Sequence, residues 1–485
     1  MARRSTLNTE ALVKLGAERL AELALDEAER NGPFKKLVMA ALASERGPEA
    51  VAAIVDKRLA GLETARGTIG WGKAKSFGED LSATLKIITG DLAKADAEAA
   101  ADRLMRFLAT ADRTLSRDGS SGDGTAAVYY AAAAALPGLI AKLPPEASLM
   151  AADRLYDLTA ESRYGVAENS ASEILAAAPP VLVEAFDQRL AEGLRALGPF
   201  AADDSDWSRH ARARRLIELR QRVADARGDV DAFIELETGL PGHFPDPAEI
   251  AERLTAAGRH REALDWLRRP SRPSVKRLRM EDLNAGLAPR DPAVDRRQRV
   301  EIRVLEALGE RAQARALRWK LFEETLDADS LREHLAGLPD FEDVDALDAA
   351  FALALETPLV YAALRFLVQW PRLDLAERLV VKRRAQWDGR RYEILAAAAE
   401  TLESAQPLAA TILYRALVGS ILERAQSPAY AHAARYYVEL ESLAAREDPG
   451  WPVERAETWL TALRGRHGRK HGFWTAVEAA GRQRA

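Results

Sequence analysis

In a chain of 485 residues, 48% hydrophobic but only 6% aromatic, alanine and leucine supply most of the apolar surface; these are the strongest apolar helix formers. The 74 acidic and 69 basic side chains give a net charge of −5, which argues against a dedicated nucleic-acid coat or a membrane-surface protein. The absence of cysteine excludes disulfides, cysteine-ligated zinc and cysteine nucleophiles.

The basic start MARRSTLNTE runs into no apolar core, so no secretory signal is expected. Asn8 or Thr9 can cap a first helix with Leu12, Leu15, Leu20 and Leu23 on one side, and Asn31-Gly32-Pro33 stops it. Helices are expected over 34–43 and 48–62. The glycine-rich, basic and aromatic stretch 66–77 (RGTIGWGKAKSF) reads as a loop at a boundary. Helices resume over 79–89 and 95–116, then break at Arg117-Asp-Gly-Ser-Ser-Gly-Asp-Gly124. The next helical run, 125–142, contains the longest nearly apolar stretch, from Ala126 to Ala141. It is shorter than the ~20 residues a bilayer requires, and Pro137 interrupts it. A soluble cytoplasmic protein without a membrane partner is the expectation. Pro144-Pro145, Pro179-Pro180 and Pro199 mark turns between further helix pairs.

One phrase then recurs. VADARGDVDAFIELE around Gly228, AERLTAAGRHREALDWL around Gly258 and LEALGERAQARALRWKLF around Gly309 each read as two short helices joined at a glycine. Gly228 and Gly258 lie 30 residues apart, close to one tetratricopeptide unit of ~34 residues. Gly258 and Gly309 lie 51 apart, with a Pro/Arg-rich insertion between them that starts at Pro270 and continues to Pro292. Helix pairs continue to Ala445, with Pro339-Asp340 as a start signal and the acidic run 341–348 suited to a first helical turn. The expected fold is all-α, an α-solenoid of antiparallel helix pairs that is tetratricopeptide-like in its central region. It divides into an N-terminal helical segment (1–65), a helical section with the Asp/Gly/Ser loop (66–204), the repeats (205–450), and a C-terminal helix with a basic tail (451–485).

Two places stand out as candidate sites. The first is the tail, where Arg464, Arg466, His467, Arg469, Lys470, His471, Phe473 and Trp474 fall within eleven residues. From Thr461 to Ala485 there are six Lys or Arg and one acid, Glu478. Such cations can neutralise phosphates and the two aromatics can stack on bases. The same residues also suit a helix end, with cations complementing the dipole and Phe473-Trp474 folded back as an apolar cap. His467 and His471 have a zinc-compatible spacing, but Gly468 weakens a helix there and no third ligand is evident, so no metal is expected. The second candidate is the loop with Asp118, Ser120, Ser121 and Asp123. It could form an anion nest or bind calcium, but it lacks the lysine of a phosphate loop and the distal glutamate of an EF-hand. A plain helix–helix turn with Ser or Asp capping the next helix is the simpler reading. Arginines cluster in HARARRLIELRQR and LRRPSRPSVKRLR, yet 205–300 holds 20 basic and 16 acidic residues, so most are read as solvated or paired.

Several phrases resemble one family: FLATADRTLSRDGSSGDGT, VADARGDVDAFIELE, LRWKLFEETLDADSLREHLAGLPDFEDVDA, and SPAYAHAARYYVELESLA followed by WLTALRGRHGRKHGFW. Together they are similar to DUF6880, an uncharacterised bacterial family, over roughly Leu12 to Trp474. The closing phrase also resembles the helical C-terminal region of SWIM zinc-finger proteins, without the finger's cysteines. The resemblance implies an all-helical repeat fold and brings no catalytic residue. No nucleophile elbow, Walker sequence or H-E-x-x-H occurs, so neither a catalytic residue nor a cofactor is assigned. The expected function is a non-enzymatic scaffold for a protein or peptide partner. The alternatives are a nucleic-acid-associated protein using the basic tail and central arginines, and an enzyme whose site is assembled between helices.

Overall fold

The computed structural model describes residues 8–119, 123–199, 206–239, 244–270, 291–339 and 341–484. Among these residues there are helices, turns and coil, and the only β-type pairing is an isolated parallel bridge between Ile69 and Asp118. The chain forms two compact units that meet in sequence between Asp246 and Pro247.

In the first unit two rows of helices stack. One row runs Pro48–Thr64, Ala97–Ala109, Pro145–Ala160, Pro180–Ala196, each against the next. The other runs Gly32–Ser44, Trp71–Ile87, Asp123–Ile140, Ala171–Ala177, Trp207–Arg227. Each helix therefore meets only near neighbours, which is the packing logic of a solenoid. Leu59, Leu81, Leu104, Phe107, Leu136, Leu155 and Phe186 fill the space between the rows. Tyr129 is buried there. Its ring stacks on Phe107 at 4.8 Å, and its hydroxyl meets Thr110 Oγ1 at 2.8 Å and Thr114 Oγ1 at 3.0 Å. A phenol in a core needs such partners, because a bare hydroxyl there would forfeit its hydrogen bonds with water.

Pro48, Ala97 and Pro145 begin successive helices of one row at almost even spacing along the chain. The layer they define is longer than a tetratricopeptide unit. Ion pairs tie the layers at the same spacing. Arg103 donates to Asp56 across 47 residues, Arg106 to Asp56 across 50, and Arg212 to Glu161 across 51. Arg154 likewise pairs with Asp102. Partly exposed pairs of this kind contribute little individually, ~0–1 kcal/mol, but they set register between helices.

The stretch read as a loop over 66–77 is helical from Trp71 onward, in the Trp71–Ile87 helix. Its glycines misdirect the reading. Gly78 lies beside the Asp123–Ile140 helix inside a continuous helix, where an added Cβ would meet the Gly124 carbonyl oxygen at 3.9 Å, an ordinary contact, so it marks no turn.

The second unit is a succession of short helix pairs. These include Pro247–Ala256 with His260–Arg268, Pro292–Ala307 with Arg311–Thr325, Val360–Gln369 with Leu373–Lys382, and Tyr392–Leu402 with Pro407–Glu423. Short connections bring such helices back antiparallel. The glycine phrases have one shared geometry. Gly228, Gly258 and Gly309 all take the left-handed conformation, with φ of 66°, 76° and 78°. In each, the glycine N–H donates three residues back and the next N–H five residues back. Arg259 N to Leu254 O is 2.8 Å, Asp229 N to Ala224 O is 2.9 Å, and Glu310 N to Leu305 O is 2.8 Å. This is the Schellman termination, which satisfies the last carbonyls of a helix and favours glycine because a Cβ is penalised at positive φ. Phe322, Leu331, Phe351, Phe366, Leu379, Leu413 and Leu417 form the core, with Phe322 and Phe366 edge to face at 5.2 Å.

Candidate functional site

The two unusual loops of the first unit come together. Ile69 N donates to Arg117 O at 2.8 Å, Gly119 N to Ile69 O at 3.2 Å, and Arg117 Nε to Gly67 O at 2.7 Å. The glycine-rich stretch is thereby stitched to the entry of the Asp/Gly/Ser loop, one layer further along the chain. Asp118 is half-buried at this junction, and Asp123 opens the Asp123–Ile140 helix. Ser120 and Ser121 lie outside the described residues.

Beside the junction an open groove of about 920 Å³ runs between the Gly32–Ser44 and Trp71–Ile87 helices and the start of Asp123–Ile140. Its floor is apolar, from Pro33, Phe34, Leu37 and Val128. Its rim carries Trp71, Lys75, Glu79 and Lys86. Trp71 is 84% exposed. It stands in the first turn of its helix, where Gly70 provides no side-chain cap. The positive end of the helix dipole there adds to the potential of the lysines. Lys73, Lys75 and Lys86 make no ion pair among the described residues.

The tail is folded. Arg464, Arg466 and His467 close the Ala456–His467 helix, and His471 opens the His471–Arg484 helix. The two histidines therefore belong to different helices and do not share one helical face. Phe473 is fully buried, with ring centroids 6.1 Å from Tyr430, 6.0 Å from Tyr437 and 4.7 Å from Trp474. Trp474 Nε1 donates to His467 O at 3.0 Å, and the Arg464 guanidinium lies 4.8 Å above the Trp474 ring. This is the folded-back apolar cap. Burial, with Lys470 and Arg466 nearby, holds the His467 imidazole below its ordinary pKa. Arg464, Arg466 and Arg469 remain exposed and Lys470 half-exposed. None of the four has a carboxylate within ion-pair distance among the described residues.

The central arginines are largely structural. In HARARRLIELRQR, Arg212 pairs with Glu161 at 2.5 Å, Arg215 pairs with Glu168, and Arg220 pairs with Asp187 at 2.8 Å. Most of the second cluster, 271–279, lies outside the described residues. One feature has no sequence signal at all: a cavity of about 410 Å³ where the ends of the Ala97–Ala109 and Pro145–Ala160 helices meet, with Asp157 on its rim.

The model of the family of unknown function DUF6880 matches residues 2–476. The chain belongs to this family. No curated protein matches this DUF6880 member. Among solved structures it is similar to a circular tandem repeat protein with novel repeat topology and enhanced subunit contact surfaces. That pair shares 13% identity over 93% of this chain and 97% of the other, at a TM-score of 0.21, too slight a likeness to bear on the fold. The repeat architecture of the DUF6880 chain is therefore read from its own helices. Among the described residues, no helix is long and apolar enough to cross a membrane.

Proposed function

We propose that this DUF6880 protein is a non-enzymatic, cytoplasmic helical-repeat scaffold, and that a protein or peptide partner binds it in the groove beside Trp71. The observation that carries this reading is Trp71 itself: an indole left 84% exposed at the rim of an apolar-floored groove. Tryptophan is enriched among the few residues that dominate interface energetics, because it buries a large rigid surface at low entropic cost. The expected result for Trp71→Ala is an unchanged melting curve, within ~0.5 kcal/mol as for other surface changes. Affinity for the partner, identified by crosslinking into the groove, should fall by ~30-fold or more, equivalent to ~2 kcal/mol. Titration by calorimetry measures it, and equal affinity in the variant would exclude the groove as the contact.

A second reading, nucleic-acid association, is favoured by the four tail cations that lack carboxylate partners among the described residues. Joint replacement of Arg466, Arg469 and Lys470 by alanine should then reduce the salt slope of binding to DNA or RNA by roughly two to three, about one per phosphate contact. An unchanged slope in a filter-binding titration would remove the tail from this role.

A further inference from the structure

The cavity at Asp157 lies in the first unit and shares no lining residue with the Trp71 groove. Met105, Leu108, Ala111, Leu158, Val166 and Ala167 give it an apolar floor. Its volume, about 410 Å³, suits one long side chain or a small ligand. Five charged residues line it, Asp157 among them, and their commitments differ. Arg106 is turned onto the Pro48–Thr64 helix, donating to Glu63 Oε1 at 2.6 Å, Glu63 Oε2 at 2.9 Å and Asp56 Oδ1 at 2.9 Å. Arg154 is taken by Asp102. Asp112 accepts from Ser162 Oγ at 2.9 Å, Arg163 N at 2.7 Å and Tyr164 N at 3.2 Å, which fixes the loop after the Pro145–Ala160 helix. Glu161 pairs with Arg212 at 2.5 Å. Asp157 forms neither an ion pair nor a hydrogen bond among the described residues.

Both cations of the wall are thus neutralised by carboxylates outside the cavity. What is left without a partner is the exposed Asp157 carboxylate on the rim, above an apolar floor. A floor of that kind accepts a methylene stem, and the carboxylate accepts the charged end of it. We propose that this cavity receives the side chain of a lysine or arginine presented by a protein partner, with Asp157 as the residue that pairs with its charge.

The electrostatics of the site agree. Partial desolvation at the rim pushes the Asp157 carboxyl above its usual range, opposed by Arg189 on the Pro180–Ala196 helix and reinforced by Asp153 and Glu161 beside it in the chain. An acid whose pKa is raised by folding destabilises the folded state when it is ionised. That cost is full above the folded-state pKa and gone below the unfolded value of ~3.9. Asp157→Asn is therefore expected to melt at the same temperature or higher at neutral pH, with the gain shrinking as pH falls through the acid range. A carboxylate retained for packing would give the opposite sign.

The test uses the full chain and four probes in calorimetric or NMR titrations: the acetylated methylamides of arginine, lysine, norleucine and glutamate. The cationic probes should saturate, with norleucine at least ~10-fold weaker and glutamate inert, and Asp157→Asn should lose ~10-fold or more for the cations alone. A loss of ~1.4 kcal/mol corresponds to that factor. Binding should also weaken on acidification as Asp157 protonates. Equal binding of norleucine, preference for glutamate, undiminished binding by Asp157→Asn, or no saturation by either cation would each overturn the proposal. The Trp71 groove is untouched by any of these results, so the two assignments fail separately.

Discussion

Gly389→Ala is expected to destabilise the second unit by about 3 kcal/mol or more, read as a lowered urea midpoint. A Cβ on this glycine would lie 2.2 Å from the Ala416 carbonyl oxygen and 2.6 Å from the Ser420 Cβ. Both neighbours are on the Pro407–Glu423 helix, which buries Leu413, Tyr414, Leu417 and Val418 and cannot retreat without opening the core. The turn carrying Gly389 is also pinned. The Asp388 N–H donates to Tyr361 Oη at 2.8 Å, Tyr361 in turn donates to Gln386 O at 3.0 Å, and Arg390 N donates to Asp388 Oδ1 at 3.0 Å. Overpacking typically costs ~1–3 kcal/mol when side chains can adjust, and a clash with backbone on a packed helix belongs at or above the top of that range. Gly419, on the same helix with nothing within 4 Å of its added Cβ, is the control. Alanine there should stabilise by up to ~1 kcal/mol through helix propensity. A cost below ~1 kcal/mol at Gly389 would contradict the packing described.

Phe473→Ala carries the second large effect, ~3–5 kcal/mol in the packing of the final helix, the usual cost of deleting a fully buried phenylalanine. Its ring holds the His471–Arg484 helix against Tyr430 and Tyr437 of the Tyr430–Ala444 helix. The loss is expected locally, because a terminal helix can detach while the rest of the unit stays folded. Trypsin should then cut between Arg464 and Lys470 much faster in the variant than in the native chain, with the remaining fragment retaining its melt. Equal protection would mean that Trp474 and the neighbouring helices hold the end without Phe473.

How much of the fold is legible in the sequence depends on how local the cause is. The helix ends at Gly228, Gly258 and Gly309 are readable because a left-handed cap selects glycine. Ala425 adopts the same conformation, at φ 51°, and closes the Pro407–Glu423 helix with Gln426 N donating to Ile421 O at 3.2 Å. No glycine marks it, since alanine is an ordinary helix former, and the local signal is Pro428, three residues on. The glycines at 72 and 78 err the other way, suggesting a loop where a helix runs. Partners this far apart in the chain fall outside any local window, so reading HARARRLIELRQR as solvated or paired cannot name the partners, which are Glu161, Glu168 and Asp187. The candidate sites divide likewise. Phe473 and Trp474 are visible as a cap or a stacking pair, and the fold chooses the cap. Trp71 shows in the sequence only as part of a loop. Asp157 is one acid among 74, singled out only by what surrounds it.

The regular ties between layers also constrain how the first unit can lengthen or shorten through descent. Arg103, Arg106, Arg154 and Arg212 each reach a carboxylate about one layer earlier in the chain. Excising one whole layer, such as 97–144, would set the Pro145–Ala160 helix and its Arg154 against the Pro48–Thr64 helix and its Asp56, with apolar faces still meeting. Excising half a layer rotates every later helix out of register and strands its arginines against the wrong row. Relatives of this protein should therefore differ within this unit by whole layers, and changes of other lengths should fall in the connections at the layer ends.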